Sequence, residues 1–342
     1  MGSPTRKPTQ SNSRLTADAY ADGILKHDRI ILSRAITLAE SRLKSDQLLA
    51  EALIQKILAH TGKSIRIGIT GIPGVGKSTF IEAFGKHLTA IGKKLAVLAI
   101  DPSSQRTKGS ILGDKTRMDE LARDENAFIR PTSAASALGG VADKTRETIL
   151  LCEAAGFDVI IVETVGVGQS EISVRNMVDF FLLLLLGGAG DELQGIKKGI
   201  MEMADGVVIT KADGDNKKRA KQAQADYQHA LHFFPPSDSG WIPKVLISSA
   251  IEHRGMNEVW QMVDDFKTFT KAKGFFEHQR TEQNIEWFHS SIEQLLKREI
   301  MQSDSLRKKM ETYERSVVNK SMTPGSASRK LVEDFFSSLP KH

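Results

Sequence analysis

The sequence predicts an α/β fold: a doubly wound, mostly parallel sheet with helical arms at its N- and C-terminal ends. Three observations point there. Between Ser64 and about Thr270, β-rich runs alternate with helical stretches: Ile65 to Thr70, Leu95 to Ile100, Asp158 to Val162, Phe180 to Leu186, Val207 to Thr210 and Lys244 to Ser248. The runs are continuous in Val, Ile and Leu instead of alternating with polar residues, as expected of parallel strands covered on both faces. The first run leads through a glycine-rich turn, Gly71 to Ser78, straight into a helical pattern from Thr79. That arrangement puts a ligand site at the carboxyl ends of the strands.

The remaining elements fall on either side of this core. Residues 1–16 are rich in Ser, Pro and Thr and basic, and are expected to be a disordered tail. Residues 17–62 carry helical spacing through Ile24, Ile31, Leu38, Leu48, Leu49, Leu53 and Ile57, which predicts an N-terminal helical arm. The sheet domain is assigned to 63–270. Beyond it, 271–342 form a C-terminal helical arm in which Ile285, Phe288, Ile292, Leu295, Leu296 and Ile300 recur at helical spacing with charges between them. No internal repeat competes with this division.

Composition narrows the class. With 342 residues, 40% apolar and 26% charged, the chain can bury one substantial core. Its 47 basic and 42 acidic residues give +5, spread along the chain with no basic stripe interleaved with aromatics, which argues against nucleic acid as a partner. Cys152 stands alone, so neither an internal disulfide nor a Cys-rich metal site is available and a reducing, cytoplasmic setting is expected. No apolar segment follows the basic N-terminus as in a secretory signal. The apolar run ending at Leu186 falls far short of the roughly 20 residues a bilayer requires, so no membrane association is expected.

Gly71-Ile72-Pro73-Gly74-Val75-Gly76-Lys77-Ser78 fits G-x-x-x-x-G-K-[ST] in the strand–turn–helix context that a phosphate-binding P-loop needs. Backbone N–H groups from Gly74, Val75, Gly76, Lys77, Ser78 and Thr79 would cradle phosphates. Lys77 would meet the β- and γ-oxygens as a point charge, and Ser78 would ligate Mg²⁺. Asp101 and Glu163 each close an apolar run, which brings two further oxygen donors to the same sheet edge. Asp114, in the polar stretch 102–116, is a third candidate for the metal. In Glu163-Thr164-Val165-Gly166 the N–H of Gly166 can reach a γ-phosphate, giving a nucleotide-sensing switch. Downstream, Lys211-Ala212-Asp213 reads the base. The Asp213 carboxylate accepts from guanine N1–H and its 2-amino group, whereas adenine leaves it unpaired, and a site built on such pairing rejects the analogue by about 10⁴. The Lys211 stem would cover the ring, and Ser249-Ala250 would meet guanine O6.

Gly71 to Ser78, Asp101-Pro102-Ser103-Ser104, Glu163 to Ser170 and Lys211-Ala212-Asp213-Gly214-Asp215-Asn216 together resemble the MeaB/ArgK family of P-loop GTPases. The resemblance implies a GTP-hydrolysing chaperone of an adenosylcobalamin-dependent acyl-CoA mutase, especially methylmalonyl-CoA mutase, that gates cofactor loading and protects the enzyme. It further implies a homodimer joined through the C-terminal helices, with GTP and GDP as substrate and product, Mg²⁺ as metal, and Lys77 and Glu163 in the catalytic centre. One departure is Thr210, where many GTPases place an Asn whose amide braces the P-loop. Val167 occupies the position where a water-orienting Gln commonly follows the switch glycine, so slow basal hydrolysis is expected. The stretch 187–197 joins glycine hinges to Asp191, Gln194 and Lys197, which suits a partner-read switch in which docking carries Lys197 to the γ-phosphate. A GTPase metallochaperone is the alternative, but the chain lacks the Cys and His clusters it needs, and His229 with His232 read as a surface pair. A non-catalytic dimeric adaptor would not need Lys77, Ser78, Asp101 and Glu163 all intact.

Overall fold

The structure, a computed structural model, describes residues 14–101, 118–133, 140–164, 170–188, 198–235 and 237–338. Its centre is a parallel sheet of β1 (Ile65–Gly71), β2 (Leu95–Asp101), β3 (Ala127–Ser133), β4 (Val159–Thr164), β5 (Phe180–Leu186), β6 (Gly206–Thr210) and β7 (Lys244–Ile247). The strand order is β3-β2-β4-β1-β5-β6-β7, so the chain starts in the middle and winds outward to both edges. β1 pairs with β4 from Ile65↔Val159 to Ile69↔Glu163, and with β5 from Ile67↔Phe180 to Gly71↔Leu184.

The apolar runs serve two faces, as their lack of alternation required. On one face Ile65, Ile67, Ile69, Leu182 and Leu184 pack with Phe80 and Phe84 of α4 (Lys77–Ala90) and with Val259, Val263 and Phe266 of α9 (Met256–Ala272). On the other, Ala96, Leu98, Ile160, Val162 and Phe181 share a core with α5 (Gly140–Ala154) and three N-terminal helices, α1 (Ala17–Leu25), α2 (Arg29–Glu40) and α3 (Lys44–Ile57). Leu183, Leu185 and Val207 lie under Ala220, Ala223 and Tyr227 of α8 (Lys217–Leu231). Two short helices, α6 (Ser170–Arg175) and α7 (Lys198–Glu202), follow β4 and precede β6 respectively.

β3 is the one strand absent from the sequence reading. Arg130 and Pro131 interrupt its apolar run, and the sheet tolerates the proline because β3 lies at an edge, paired only with β2. The N-terminal region differs from a single helical stripe. Asp28 caps α2 by accepting from the Ile30 and Ile31 N–H groups at 2.8 and 3.0 Å, and the chain breaks again at Ser41–Leu43. Ile24, Leu38, Leu53 and Ile57 are buried as the spacing requires, but Leu48 is 58% exposed, because five residues place it about 140° around α3 from the buried Leu53.

At the amino ends of the central strands the sheet is closed by a buried ionic clamp. Asp179, 1% exposed, accepts from Arg280 Nε and Nη2 at 2.7 Å each and from the Arg66 N–H at 2.8 Å. Arg280 also donates to the carbonyls of Gly62 at 2.6 Å and Ser64 at 2.7 Å. Beside it, Glu153 receives both arms of the Arg66 fork at 2.9 Å and the Gly62 N–H at 2.8 Å. Each of these buried carboxylates thus accepts three hydrogen bonds with both oxygens engaged, which is what keeps buried charge tolerable.

Arg280 lies near the start of α10 (Phe275–Gln302), and residues from Thr281 onward make a second compact unit with α11 (Asp304–Val318) and α12 (Pro324–Ser338). Ser303 caps α11, and Asp334 of α12 takes the Tyr313 hydroxyl at 2.8 Å and Lys309 at 2.6 Å. On α10, Ile285, Phe288, Ile292, Leu295 and Leu296 are exposed by 39–62%.

Candidate nucleotide site

The turn from β1 to α4 is shaped by two glycines. A Cβ on Gly71 would lie 2.6 Å from the Leu184 carbonyl oxygen, so only glycine fits against β5 there. Gly76, at φ 94°, is the left-handed residue from which α4 starts. Between them Val75 is fully buried and pins the loop from below. The Lys77 ammonium folds back and donates to the Gly71 carbonyl at 2.7 Å and towards Ile72 at 3.4 Å. Burial pushes its pKa below the ordinary lysine value, opposed by the charges of Glu163 and Glu171.

Ser78 and Glu163 meet as the sequence anticipated. Glu163, 4% exposed, stands opposite Ile69 in the neighbouring strand, and the Ser78 hydroxyl donates to its Oε1 at 3.4 Å. A hydroxyl and a carboxylate are hard oxygen donors and fit Mg²⁺, which takes few protein ligands and keeps waters. Asp101 ends β2 at the same sheet edge, opposite Ser133. Asp114, Gly166, Asp191, Gln194 and Lys197 lie outside the described residues. Among the described residues no three His, Cys, Asp or Glu side chains cluster as a metal site.

The residues expected to read the base lie on β6, β7 and the turns after them. Lys211 has φ 54°, a conformation a non-glycine residue adopts at a cost of about 1 kcal/mol. Its carbonyl is held by the Asn216 amide at 2.8 Å, and its ammonium donates to the Gly74 carbonyl at 2.8 Å. Ala212 is fixed through its N–H to the Ser248 carbonyl at 2.9 Å and through its own carbonyl, which accepts from Arg254. Asp213 accepts at Oδ2 from the fully buried Ser249 hydroxyl at 2.7 Å, and that hydroxyl oxygen takes the Glu252 N–H at 3.1 Å. The Asp213 carboxylate is therefore oriented by the protein's own donors. Ala250 follows, half-buried, in the same turn.

Thr210 alters an expectation. Its hydroxyl donates to the Val75 carbonyl at 2.8 Å, with the Leu185 carbonyl at 3.1 Å beside it. A brace to the P-loop is present although no amide is. Sequence reasoning compared residue types at the position and overlooked that a β-branched hydroxyl at a strand end reaches the same carbonyl. Glu171, 2% exposed on α6, was missed as well. Its signal was an acid directly after the Gly166–Ser170 motif.

The residues expected to hold phosphate and those expected to read the base therefore converge on one loop, through Lys211 to Gly74 and Thr210 to Val75. Comparison with known proteins agrees with that architecture. The sequence model of the family described as methylmalonyl Co-A mutase-associated GTPase MeaB matches residues 32–305. GTPase ArgK of Escherichia coli is 47% identical over 306 residues, which are 90% of this chain and 92% of that protein. The mouse protein named methylmalonic aciduria type A homolog, mitochondrial, is 45% identical over 330 residues, covering 94% and 80%. The crystal structure of a LAO/AO transport system kinase superposes with a TM-score of 0.73 at 39% identity, over 93% of this chain and 97% of that one. With a family match across most of its length and relatives approaching half identity, this chain belongs to the MeaB family of methylmalonyl Co-A mutase-associated GTPases and is a P-loop enzyme that binds and hydrolyses GTP.

Proposed function

We propose that this GTPase serves an adenosylcobalamin-dependent acyl-CoA mutase, methylmalonyl-CoA mutase or a near relative, gating the loading of its cofactor and protecting it. Family membership supports the partner class. The observation that carries the switching part is the convergence just described. Lys211 and Thr210, on the base side, hold carbonyls of the loop that wraps the phosphates, so filling either half acts on the other.

In this reading the amides of Gly74 to Thr79 and the Lys77 ammonium bind the phosphates. Lys211, Asp213, Ser249 and Ala250 select guanine, and Ser78, Asp101, Asp114 and Glu163 hold Mg²⁺. Bound there, the ion would neutralise charge on the β- and γ-phosphate oxygens. Water attacks the γ-phosphorus, the bond to the β–γ bridging oxygen breaks, and GDP and phosphate leave. Lys77 stabilises the charge that develops, and the Gly166 N–H meets the γ-phosphate. With Val167 in place of a water-orienting Gln, hydrolysis waits for the partner, whose docking on Asp191, Gln194 and Lys197 brings Lys197 inward. The protein works in the cytoplasm as a homodimer joined through the apolar stripe of α10, a face a soluble monomer would not leave open.

Turnover measured with and without the mutase tests this. Stimulation lost in Lys197→Ala supports the switch, whereas a fast basal rate or no response to the mutase refutes the partner-gated reading. Light scattering tests the dimer: Phe288→Glu with Leu295→Glu gives a monomer that still binds GDP, and a wild-type monomer would end the dimer proposal.

A further inference from the structure

The turn after β7 closes on itself before α9 begins. Ser249 and Arg254 form an antiparallel bridge, the Ser249 N–H donating to the Arg254 carbonyl at 3.0 Å and the Arg254 N–H to the Ser249 carbonyl at 2.9 Å. Gly255 follows at φ 87°, so close to β7 that a Cβ would lie 2.5 Å from the Ile247 carbonyl oxygen. Bridge and glycine together aim the Arg254 side chain across to the turn after β6. One arm of its fork, Nη2, donates to the Ala212 carbonyl, and the other, Nη1, reaches Glu252 Oε2 at 3.2 Å. Ala212 stands between Lys211 and Asp213, and its N–H is held by the Ser248 carbonyl at 2.9 Å. The contacts therefore close a ring. Arg254 holds Ala212, which is bonded to Asp213; the Ser249 hydroxyl donates to Asp213 at 2.7 Å and accepts the Glu252 N–H at 3.1 Å; and the Glu252 carboxylate returns to Arg254. Lys217, the first residue of α8, fastens the ring to that helix through Glu252 Oε1 at 3.0 Å.

Within this ring Ser249 fixes one carboxylate oxygen of Asp213, and Arg254 fixes the peptide from which that side chain springs. A hydrogen bond from a charged guanidinium is stronger than a neutral one, so the Ala212–Asp213 peptide is held against rotation. We propose that Arg254 is a positioning residue for base selection: by holding this peptide it keeps the plane of the Asp213 carboxylate aligned for two hydrogen bonds from guanine, and so sets the preference for guanine over purines that offer only one. The inference rests on the reading of Asp213 as the carboxylate that selects guanine, and deepens it. Two kinds of discrimination are separated in this way. Rejecting adenine takes only a carboxylate facing a ring acceptor. Preferring guanine to hypoxanthine, which keeps N1–H and O6 but lacks the 2-amino group, takes a carboxylate whose lone pairs meet both donors at once. A carboxylate free to turn satisfies the single N1–H of hypoxanthine equally well, and loses only the second contact that guanine adds.

The test titrates GDP and inosine diphosphate, each with Mg²⁺, into the full chain by calorimetry, for wild type and for Arg254→Met, which keeps most of the stem and removes the donors. Wild type should bind inosine diphosphate about ten- to a hundredfold more weakly than GDP, the size of one hydrogen bond to a charged group. In Arg254→Met, GDP should weaken about tenfold while inosine diphosphate stays within about threefold of its wild-type affinity, so the preference shrinks at least about threefold. Arg254 is exposed, so its variant should fold, and the retained binding of inosine diphosphate shows that the phosphate loop is intact. Equal weakening of both nucleotides would make Arg254 a stabiliser of the turn alone and overturn the proposal, as would an unchanged preference. A wild type that fails to distinguish the two nucleotides gives a different signature: it removes the reading of Asp213 itself, and the role of Arg254 with it.

Discussion

Replacing Thr210 with valine removes one hydroxyl and leaves the side-chain shape nearly unchanged, so it isolates the brace on the P-loop. Thr210 is 4% exposed, and its hydroxyl reaches the Val75 carbonyl at 2.8 Å, closer than the Leu185 carbonyl at 3.1 Å. Deleting a donor from a buried carbonyl costs about 1–3 kcal/mol, because the acceptor stays desolvated and unpaired. An upper figure is tempered here by the loop, which can shift to let water reach Val75, so about 1–2 kcal/mol is expected. For a unit of this size each kcal/mol lowers the melting temperature by about 2–4 °C. The same loss, where it loosens the phosphate loop, weakens GDP binding by about 5- to 30-fold, at 1.4 kcal/mol for each tenfold step. Thr210→Ser retains the hydroxyl and should keep affinity within about twofold. Thermal melting without nucleotide and calorimetric titration of GDP measure the two quantities separately. A valine variant that melts and binds like wild type would refute the brace, and with it the view that a hydroxyl replaces the usual amide.

Three further outcomes are expected. Because burial lowers the Lys77 pKa, between that value and the ordinary lysine value of about 10.4 the unfolded chain holds a proton that the folded one has lost. The nucleotide-free protein therefore gains stability from Lys77 as pH rises across that window, while GDP affinity falls. Lys77→Met should flatten the stability difference in pH-dependent melting, and a rise equal to wild type would contradict it. Arg280→Met leaves Asp179 charged and buried and should destabilise the α/β unit by about 3–5 kcal/mol in denaturant unfolding; a loss below about 1 kcal/mol would mean the clamp is ornamental to stability. Asp213→Ala should relax discrimination between GTP and ATP while keeping phosphate binding, and Ser249→Ala, which frees the carboxylate but keeps the backbone that would meet guanine O6, should weaken GDP several-fold with discrimination preserved. Equal loss of discrimination in both would assign base reading to Ser249 itself.

The parts of the fold legible in the sequence were those governed by local pattern. The run Phe180 to Leu186 is β5 residue for residue, since seven consecutive apolar residues have no other stable place than a strand buried on both faces. The P-loop was legible because its chemistry is contained in eight consecutive positions. β3 escaped because an edge strand is free to carry Arg130 and Pro131. The clamp of Asp179, Arg280, Arg66 and Glu153 escaped for a different reason: its partners are far apart in sequence and nothing near any one of them announces the others. Lys211 and Asp213 stand out from their spacing as candidates for reading the base. The positioning of Asp213 by Ser249 does not stand out, because it depends on two turns of the chain being brought together by β6 and β7.

The clamp also bears on how the chain is made. Arg280 holds the carbonyl of Ser64, the residue just before the central strand, across a separation of 216 residues. During synthesis at about 5–20 residues per second, that carbonyl and Gly62 wait roughly ten to forty seconds for their donor. Asp179, whose buried carboxylate is matched chiefly by the same arginine, waits for the roughly five to twenty seconds that its own 101-residue separation implies. The sheet can pair β1 with its neighbours before then, but its amino edge carries an unmatched charge until the first turns of α10 arrive. Completion of the nucleotide-binding unit is thereby tied to the emergence of the helix that begins the C-terminal region, and a chain that stops short of Arg280 has a sheet without its closure.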